Sequence, residues 1–341
     1  MVDNSARKSL PWVATGGSQM LDRATKIKIH DLMVKTRCTE ETAISMNKQG
    51  EGFFWIGGAG EEAFGVSLGL QIRKGQGPAY DYLHLHYRGA PIAIAMGAEP
   101  IDQIRQMRAT ATDRYSGGRQ FVEHFAIPEW NIVPVTPTIE TQYLMAPGTA
   151  HVQRRFGGEG ITVVTGGDAG TAEGDFHCCL NWASRPGEEL PLLIIVTHNK
   201  FGISTPSSQV QASRELNRQA EPFGIRNSMH DGNDVEAIWA ALEEAIAYIR
   251  KERKPYCLQA NVSRIFGHSS ATGANRVPEV DCITAFEDKL IKDGIMTRTE
   301  IDAVWKKWKE HLKECLAQVR QEPLPDGADI WRHVFAEPAT V

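Results

Sequence analysis

Two unbroken apolar segments separated by one helix constrain the fold more than any other feature of the sequence. Residues 160–165 read GITVVT and residues 190–198 read LPLLIIVTH, so neither segment alternates polar and apolar side chains. Strands of this kind are buried on both faces, as in parallel sheets. The segment between them, TAEGDFHCCLNWASR, carries an apolar stripe at helical spacing. The sequence therefore predicts a parallel β-α-β unit.

Around this unit we predict one α/β domain over residues 21–335, a parallel sheet flanked by helices with helical additions at both ends. Residues 1–20 predict a flexible arm and residues 336–341 a tail. Further expected elements are a helix over 22–47, a helix within 58–75, a strand within 79–89 that ends at Tyr87 and Arg88, a loop over 109–140, a helix near 235 capped by Asn233, a strand over 255–265 and charged helix between 280 and 320.

Composition excludes several classes of protein. The formal net charge is −5 and no long basic stretch occurs, so we expect no nucleic-acid partner. No apolar run reaches about 18 residues, which predicts no membrane-spanning helix. The N-terminus lacks an apolar signal core, so we expect a cytoplasmic protein. The six cysteines have neither disulfide-framework nor metal-site spacing and are interpreted as buried thiols.

Polar residues follow each predicted strand of the sheet. Asp168 follows the first strand, His198 and Asn199 follow the second, and His268 follows the third. Because the carboxyl ends of parallel strands meet at one edge, we expect these side chains to converge. Carboxylate and amide oxygens are hard ligands that suit magnesium, and a helix start near Thr171 would favour a pyrophosphate. Taken singly, Asp168 could instead cap that helix and Asn199 could form a turn.

At these residues the chain resembles a known family. The segment GGDAG followed by HNKFGIST resembles the thiamin diphosphate motif, GDG with NN about 25–30 residues later. Over residues 22–335 the chain is similar to the alpha subunit of the decarboxylating component of 2-oxo acid dehydrogenase complexes, particularly the branched-chain type. Other matching segments are GAGEEAFGV, HYRG, SGGRQFVEHF, TPTIETQ, DGND and RIFGHSS.

The resemblance implies a thiamin diphosphate-binding fold and carries roles to matching residues. Magnesium would be held by the side chains of Asp168 and Asn199 and by the backbone carbonyl of Phe201. The residues expected to contact the cofactor are Tyr87, Arg88, Ile139, Gly167, Asp168, Ala169, Asn199 and His268. His268 and His124 match two active-site histidines. Thr136, Thr141 and Gln142 match a potassium-binding turn.

Several neighbouring residues are interpreted as structural. His84 and His86 match no family role and are expected to be structural or exposed. Glu61 and Glu62 are interpreted as charges at a helix start. Ser269, which matches a serine phosphorylated in organellar relatives, is interpreted as a loop residue.

The implied reaction is oxidative decarboxylation of a 2-oxo acid, expected to be branched-chain, with acyl transfer to the lipoyl domain of an acyltransferase core. In the family a glutamate needed for this chemistry comes from a beta subunit. We therefore expect an alpha2beta2 heterotetramer.

Two alternatives stay open within the family. One is an acetoin dehydrogenase alpha subunit, which shares these motifs. The other is a non-catalytic structural or regulatory subunit, motivated by three departures: Ala169 replaces a glycine, His198 replaces an asparagine, and the loop after His268 lacks an aspartate. A generic phosphate-binding protein is less favoured, because the sequence has neither a P-loop nor a GxGxxG pattern.

Overall fold

The computed structural model describes residues 21–332 and residue 334. The predicted arm (1–20) and tail (336–341) lie outside the described residues. The helices are α1 (Arg23–Lys48), α2 (Glu62–Gln71), α3 (Ala90–Met96), α4 (Pro100–Arg108), α5 (Thr141–Arg155), α6 (Gly174–Ala183), α7 (Val235–Glu252), α8 (Cys282–Lys292) and α9 (Arg298–Val319). The strands are β1 (Tyr82–His84), β2 (Thr162–Gly167), β3 (Leu192–His198), β4 (Phe201–Gly202), β5 (Thr205–Pro206), β6 (Arg226–Asp231) and β7 (Tyr256–Asn261).

A five-stranded parallel sheet in the order β1-β2-β3-β7-β6 forms the centre of the molecule. The predicted β-α-β unit is confirmed as β2-α6-β3, and the fold is α/β with helices against the sheet. Gly167 at the end of β2 pairs with Thr197, next to the last residue of β3. The ends of these two strands therefore lie side by side.

Burial on both faces explains why β2 and β3 do not alternate polar and apolar side chains. Val163 and Ile195 pack into one core together with α1, α2 and α7. Val164 and Ile194 face the opposite way, into a second core with α5 and α6. Every residue of β2 and β3 is buried, so neither strand has a solvent face that could carry polar side chains.

The N-terminal helix follows the prediction, while the strand within 79–89 is shorter than expected. The carboxylate of Asp22 caps α1 by accepting the N–H of Thr25 at 2.7 Å. The strand is confined to Tyr82–His84. Beyond it the N–H of His86 donates to the side chain of Thr165 (2.9 Å), which takes the chain out of the sheet before Tyr87.

Three helix boundaries differ from the prediction. Asp234 caps α7, because its carboxylate accepts the N–H groups of Glu236 and Ala237, whereas Asn233 was the expected cap. The helix expected near Thr171 begins at Gly174, after a 3-10 turn over Ala169–Ala172. The charged region between 280 and 320 forms two helices, α8 and α9.

All six cysteines are free thiols. Five are buried, as expected, and Cys178 is half-buried. Within the described part of the chain, no helix has both the length and the apolar character needed to cross a bilayer.

Candidate active site

Asp168 is a buried carboxylate that follows the last residue of β2, and its oxygens have lone pairs available to a ligand. The residue has no exposed surface, and neither carboxylate oxygen accepts a hydrogen bond of ordinary geometry, although the backbone N–H groups of Ala169 and of Asp168 itself lie near enough to lower its pKa. It precedes a 3-10 turn, but its side chain makes no capping hydrogen bond there, and helix α6 begins after Glu173, which excludes that alternative. The imidazole of His198 lies beside it, with Nε2 3.5 Å from Oδ2. Burial raises the pKa of Asp168, while His198 and Arg88 act in the opposite direction.

Asn199 follows β3 at the neighbouring position of the same edge. Its Oδ1 accepts the N–H of Phe201 at 3.1 Å, so the predicted turn does form. That oxygen retains a second lone pair, and Nδ2 is buried without a partner. The turn and a ligand role are therefore compatible in one side chain.

These side chains fit a magnesium ion bound together with a diphosphate. Asp168 offers two unpartnered oxygens and Asn199 one lone pair, which are hard donors. Unsatisfied buried polar atoms are rare in folded proteins and need an explanation. Among residues 21–332, no group of three or more His, Cys, Asp or Glu side chains is arranged to hold a metal on its own. The remaining ligands would be oxygens of the phosphates, water and the backbone.

Arg88 extends a buried guanidinium to the end of β2. Its Nη1 donates to the hydroxyl of Tyr87 at 2.6 Å. Its Nε lies 2.8 Å from Oε1 of Glu61, an ion-pair contact whose angle does not suit a hydrogen bond. A Cβ on Gly167 would come within 2.9 Å of Nη2, so glycine there lets the guanidinium approach Asp168. Arg88 is thus held in place by the chain and directed at the site.

Glu61 and Glu62 lie at the start of α2, as predicted, but both are buried ion-pair partners. Burial raises the pKa of Glu61 to about 7, although Arg88 and the Thr197 hydroxyl oppose the shift. Glu61 supports Arg88 and Glu62 supports Arg37.

The two predicted histidines flank Tyr87. The ring centroid of Tyr87 lies 5.8 Å from that of His268 and 6.3 Å from that of His124. Burial lowers the pKa of His268 to about 4, helped by Arg88 and Arg264. Burial also lowers the pKa of His124, whose Nδ1 donates to the carbonyl of Val122 and leaves Nε2 as an acceptor.

The structure adds a third histidine to this group. His86 was expected to be structural or exposed, yet it is buried with its ring 3.8 Å from that of Tyr87, and its Nδ1 has no partner. Burial holds its pKa well below the usual range. In the sequence, its position two residues before Arg88 could have indicated a place in the site. His84 is also buried, and its Nε2 lies 2.9 Å from the Thr149 hydroxyl.

Glu140 is a second residue that the sequence reasoning did not place in the site. It is buried, and its Oε1 accepts the N–H of Gly167 at 3.3 Å. Burial raises its pKa to about 8, against the hydrogen bond from Gly167. Its place within TPTIETQ, next to Ile139, was the signal.

The turn expected to bind potassium is partly committed to internal bonds. Nε2 of Gln142 donates to Glu140 (3.0 Å) and to the carbonyl of Thr165 (3.1 Å), so these two bonds leave Oε1 available to a cation. The hydroxyl of Thr136 accepts a backbone N–H at 3.2 Å, and Thr141 is half-buried. The side chain of Ile139 is 50% exposed, available to a ligand.

The departures from the family pattern are accommodated locally. Ala169 is not among the described non-glycine residues with positive φ, so its backbone is ordinary. Its methyl group faces Gly202, where a Cβ would come within 2.6 Å. His198 contacts the Ser207 hydroxyl at 3.1 Å and the Gln259 amide at 3.3 Å. Ser269 is buried and caps a 3-10 turn after His268.

A cavity of about 470 Å³ opens beside this cluster. Asn199, Phe201, Arg264 and His268 are among its lining residues. The structure thus brings Asp168, His198, Asn199 and His268 to one edge of the sheet, as the strand ends predicted, and it places Arg88, His86 and His124 beside them.

The chain also matches a known family and several named proteins in sequence. Residues 30–327 match the family model described as "Dehydrogenase E1 component". The chain is 29% identical to the Arabidopsis thaliana protein named 2-oxoisovalerate dehydrogenase subunit alpha 2, mitochondrial, over 73% of this chain and 51% of that protein. It therefore spans about half the length of that relative.

Two further relatives are covered more fully. The Mycobacterium tuberculosis 3-methyl-2-oxobutanoate dehydrogenase subunit alpha is 27% identical over 91% of this chain and 82% of that protein. The human 2-oxoisovalerate dehydrogenase subunit alpha, mitochondrial, is 23% identical over 93% of this chain and 72% of that protein.

Proposed function

The chain belongs to the dehydrogenase E1 component family, and we propose that it is the alpha subunit of a thiamin diphosphate-dependent 2-oxo acid dehydrogenase. In this role it would bind the diphosphate and magnesium of the cofactor. The observation that carries the proposal is Asp168, fully buried with both oxygens unpartnered. A folded chain leaves a carboxylate in this state where a ligand completes it.

Each residue of the site has a defined task under this proposal. Asp168 and Asn199 hold magnesium by side chain, and Phe201 by its carbonyl. Arg88 suits a diphosphate because a planar guanidinium can donate to two oxygens at once. Glu61 keeps that guanidinium oriented. When bound, thiamin diphosphate would supply the carbanion-stabilising chemistry of decarboxylation.

The histidines would handle protons around the substrate. His268 and His124 have lowered pKa values, so each is neutral at pH 7 with one donor and one acceptor nitrogen. A neutral imidazole can donate a hydrogen bond to a carboxylate or carbonyl and can accept a proton in the next step.

The proposed substrate is a branched-chain 2-oxo acid, and the acyl group would pass to the lipoyl domain of an acyltransferase core. Support comes from the relatives, whose names specify 2-oxoisovalerate or 3-methyl-2-oxobutanoate. We further propose a beta subunit as partner in an alpha2beta2 heterotetramer, a cytoplasmic location, and a potassium ion at Thr136, Thr141 and Gln142.

The test is to co-express the chain with a candidate beta subunit and to titrate thiamin diphosphate with and without magnesium by calorimetry. We expect binding that requires magnesium. Reduction of an artificial electron acceptor by the assembled pair is then assayed with 2-oxoisovalerate, pyruvate and acetoin as separate substrates. Activity on acetoin alone would assign an acetoin dehydrogenase subunit, and absence of cofactor binding by the assembled pair would assign a non-catalytic one.

A further inference from the structure

Glu140 occupies an unusual position beneath the loop that carries Asp168. The side chain is 1% exposed, so its carboxyl is enclosed by protein. Oε1 accepts the N–H of Gly167 at 3.3 Å, and Oε2 accepts the Gln142 amide at 3.0 Å. Arg88 is the cation that acts on it, and only through the electrostatic field. The carboxyl is therefore tied mainly to the loop.

The loop is shaped to admit this carboxyl. A Cβ on Gly170 would overlap Glu140, whose atoms are the three nearest to that point. A Cβ on Gly166 would also overlap Glu140, and Tyr143 as well. Neither glycine has a positive φ, so backbone conformation does not require glycine at either position. Space for Glu140 is the physical reason for glycine at position 170, and space for Glu140 together with Tyr143 is the reason at position 166.

Glycines 166 and 170 bracket Asp168 in sequence, and the hydrogen-bonded N–H belongs to the residue immediately before it. A group that fills the space under both glycines and holds the intervening N–H limits the positions that the Asp168 backbone can adopt. Asp168 itself has no hydrogen bond that could do so through its side chain.

We propose that Glu140 is the positioning residue for Asp168: it links the start of α5 to the Gly166–Gly170 loop and holds the metal-binding carboxylate in place. The inference rests on the proposed function for the identity of the ligand. The contacts themselves do not depend on it. Partners that orient a metal ligand typically change metal affinity about 10–100-fold when removed.

The first experiment tests the packing by a double-mutant cycle in the full chain with its partner subunit. Gly170→Ala should lower the melting temperature by about 3–6 °C, because the new methyl overlaps the carboxyl. In the Glu140→Ala background the same substitution should cost less than about 1 °C. Equal losses in the two backgrounds would overturn the inference.

The second experiment tests positioning. Hydrogen exchange of the Gly167 amide in the ligand-free protein should accelerate at least about tenfold in Glu140→Ala. The matched control is Gln153→Ala, because Gln153 is buried on the same helix and also makes two hydrogen bonds, to Tyr80 and Thr162. The control should lower stability without changing exchange at Gly167.

The third measurement is the affinity for magnesium in the presence of thiamin diphosphate. We expect about a tenfold loss for Glu140→Ala, less than about threefold for Glu140→Gln, which keeps an acceptor for Gly167, and no change for Gln153→Ala. Unchanged affinity in Glu140→Ala, or an equal loss in Gln153→Ala, would contradict the inference. If the wild-type assembly binds no cofactor, the proposed function fails, while the exchange and melting data still decide the role of Glu140.

Discussion

Two groups of buried charges in this molecule differ in how the chain satisfies them. Arg37 donates four hydrogen bonds, two to Glu62 and two to Asp281, at 2.6–3.2 Å. Glu62 also accepts from the N–H of Gly60. Asp168 is equally buried but accepts no hydrogen bond. The first group is completed by the protein and serves the fold. The second is left incomplete, which is how a site for a ligand differs from a structural network.

The largest effect is expected from a substitution that removes Arg37 from its network with Glu62 and Asp281. Arg37→Leu leaves Glu62 buried without its cation and removes one of the two cations that contact the half-buried Asp281, and should lower the free energy of unfolding by about 3–5 kcal/mol. Urea denaturation of the full assembly measures this. The control is Arg276→Leu, which removes a 2.7 Å contact to the same Asp281 from the solvent side and should cost less than about 1 kcal/mol. Similar costs for the two variants would remove the distinction.

The complementary change is to delete the open carboxylate. Asp168→Ala should weaken magnesium-dependent thiamin diphosphate binding at least about hundredfold, or about 2.7 kcal/mol. The melting temperature of the ligand-free protein should stay equal or rise, because a buried unpaired carboxyl disfavours folding. Asp175→Ala, in the first turn of α6, is the control, and its affinity for thiamin diphosphate should stay within about twofold of the wild-type value. Retained metal-dependent binding would contradict the assignment of Asp168.

A smaller effect is expected where the site departs from the family motif. Gly202→Ala sets a methyl group 2.6 Å from that of Ala169 and should weaken cofactor binding about tenfold. Ala169→Gly alone should change affinity less than about threefold. Combining the two substitutions should restore binding, since one methyl group then occupies the shared space. Failure of the pair to restore binding would show that Ala169 acts through something other than this contact.

The smallest effect is expected at the ion pair between Arg105 and Glu322, which lies near the surface. A side-chain hydrogen bond from Arg105 lowers the pKa of Glu322 to about 2, from an ordinary 4.5. A depressed pKa stabilises the fold above about pH 4.5, and this contribution is lost as the pH falls from 4.5 towards 2. We expect this contribution to the free energy of unfolding to be about 1 kcal/mol. Between pH 6 and 3, the melting temperature should fall less steeply with decreasing pH in Glu322→Gln than in the wild type. Identical slopes would refute a contribution from this ion pair.

The strongly patterned elements were predictable and the short or polar ones were not. Helix α1 and strands β2 and β3 follow from their apolar patterns. Helix α5 was missed because Pro147 interrupts the sequence pattern of a helix, although the helix itself is continuous. Its exposed face is also apolar, so no helical stripe stands out. Helices α3 and α4 are short, and strand β6 reads RNSMHD, which has no strand pattern.

For the site, the strand ends gave Asp168 and Asn199, because parallel strands present their carboxyl ends at one edge. The same argument placed His268 there, and the resemblance supplied Arg88 and His124. Glu140 and His86 were missed for a physical reason: sequence alone does not distinguish a buried titratable side chain from a solvated one, and both residues depend on tertiary burial for their place in the site.

The two outer strands of the sheet bear on how the protein behaves at high concentration. β1 has its outer side occupied, since the N–H and carbonyl of Leu83 pair with Asn131 and Val133. β6 carries Arg226, His230 and Asp231 and no continuous apolar run. A covered edge and a polar edge both discourage strand addition by another molecule. The chain should therefore resist edge-to-edge aggregation, although the strands between these edges are among its most apolar segments.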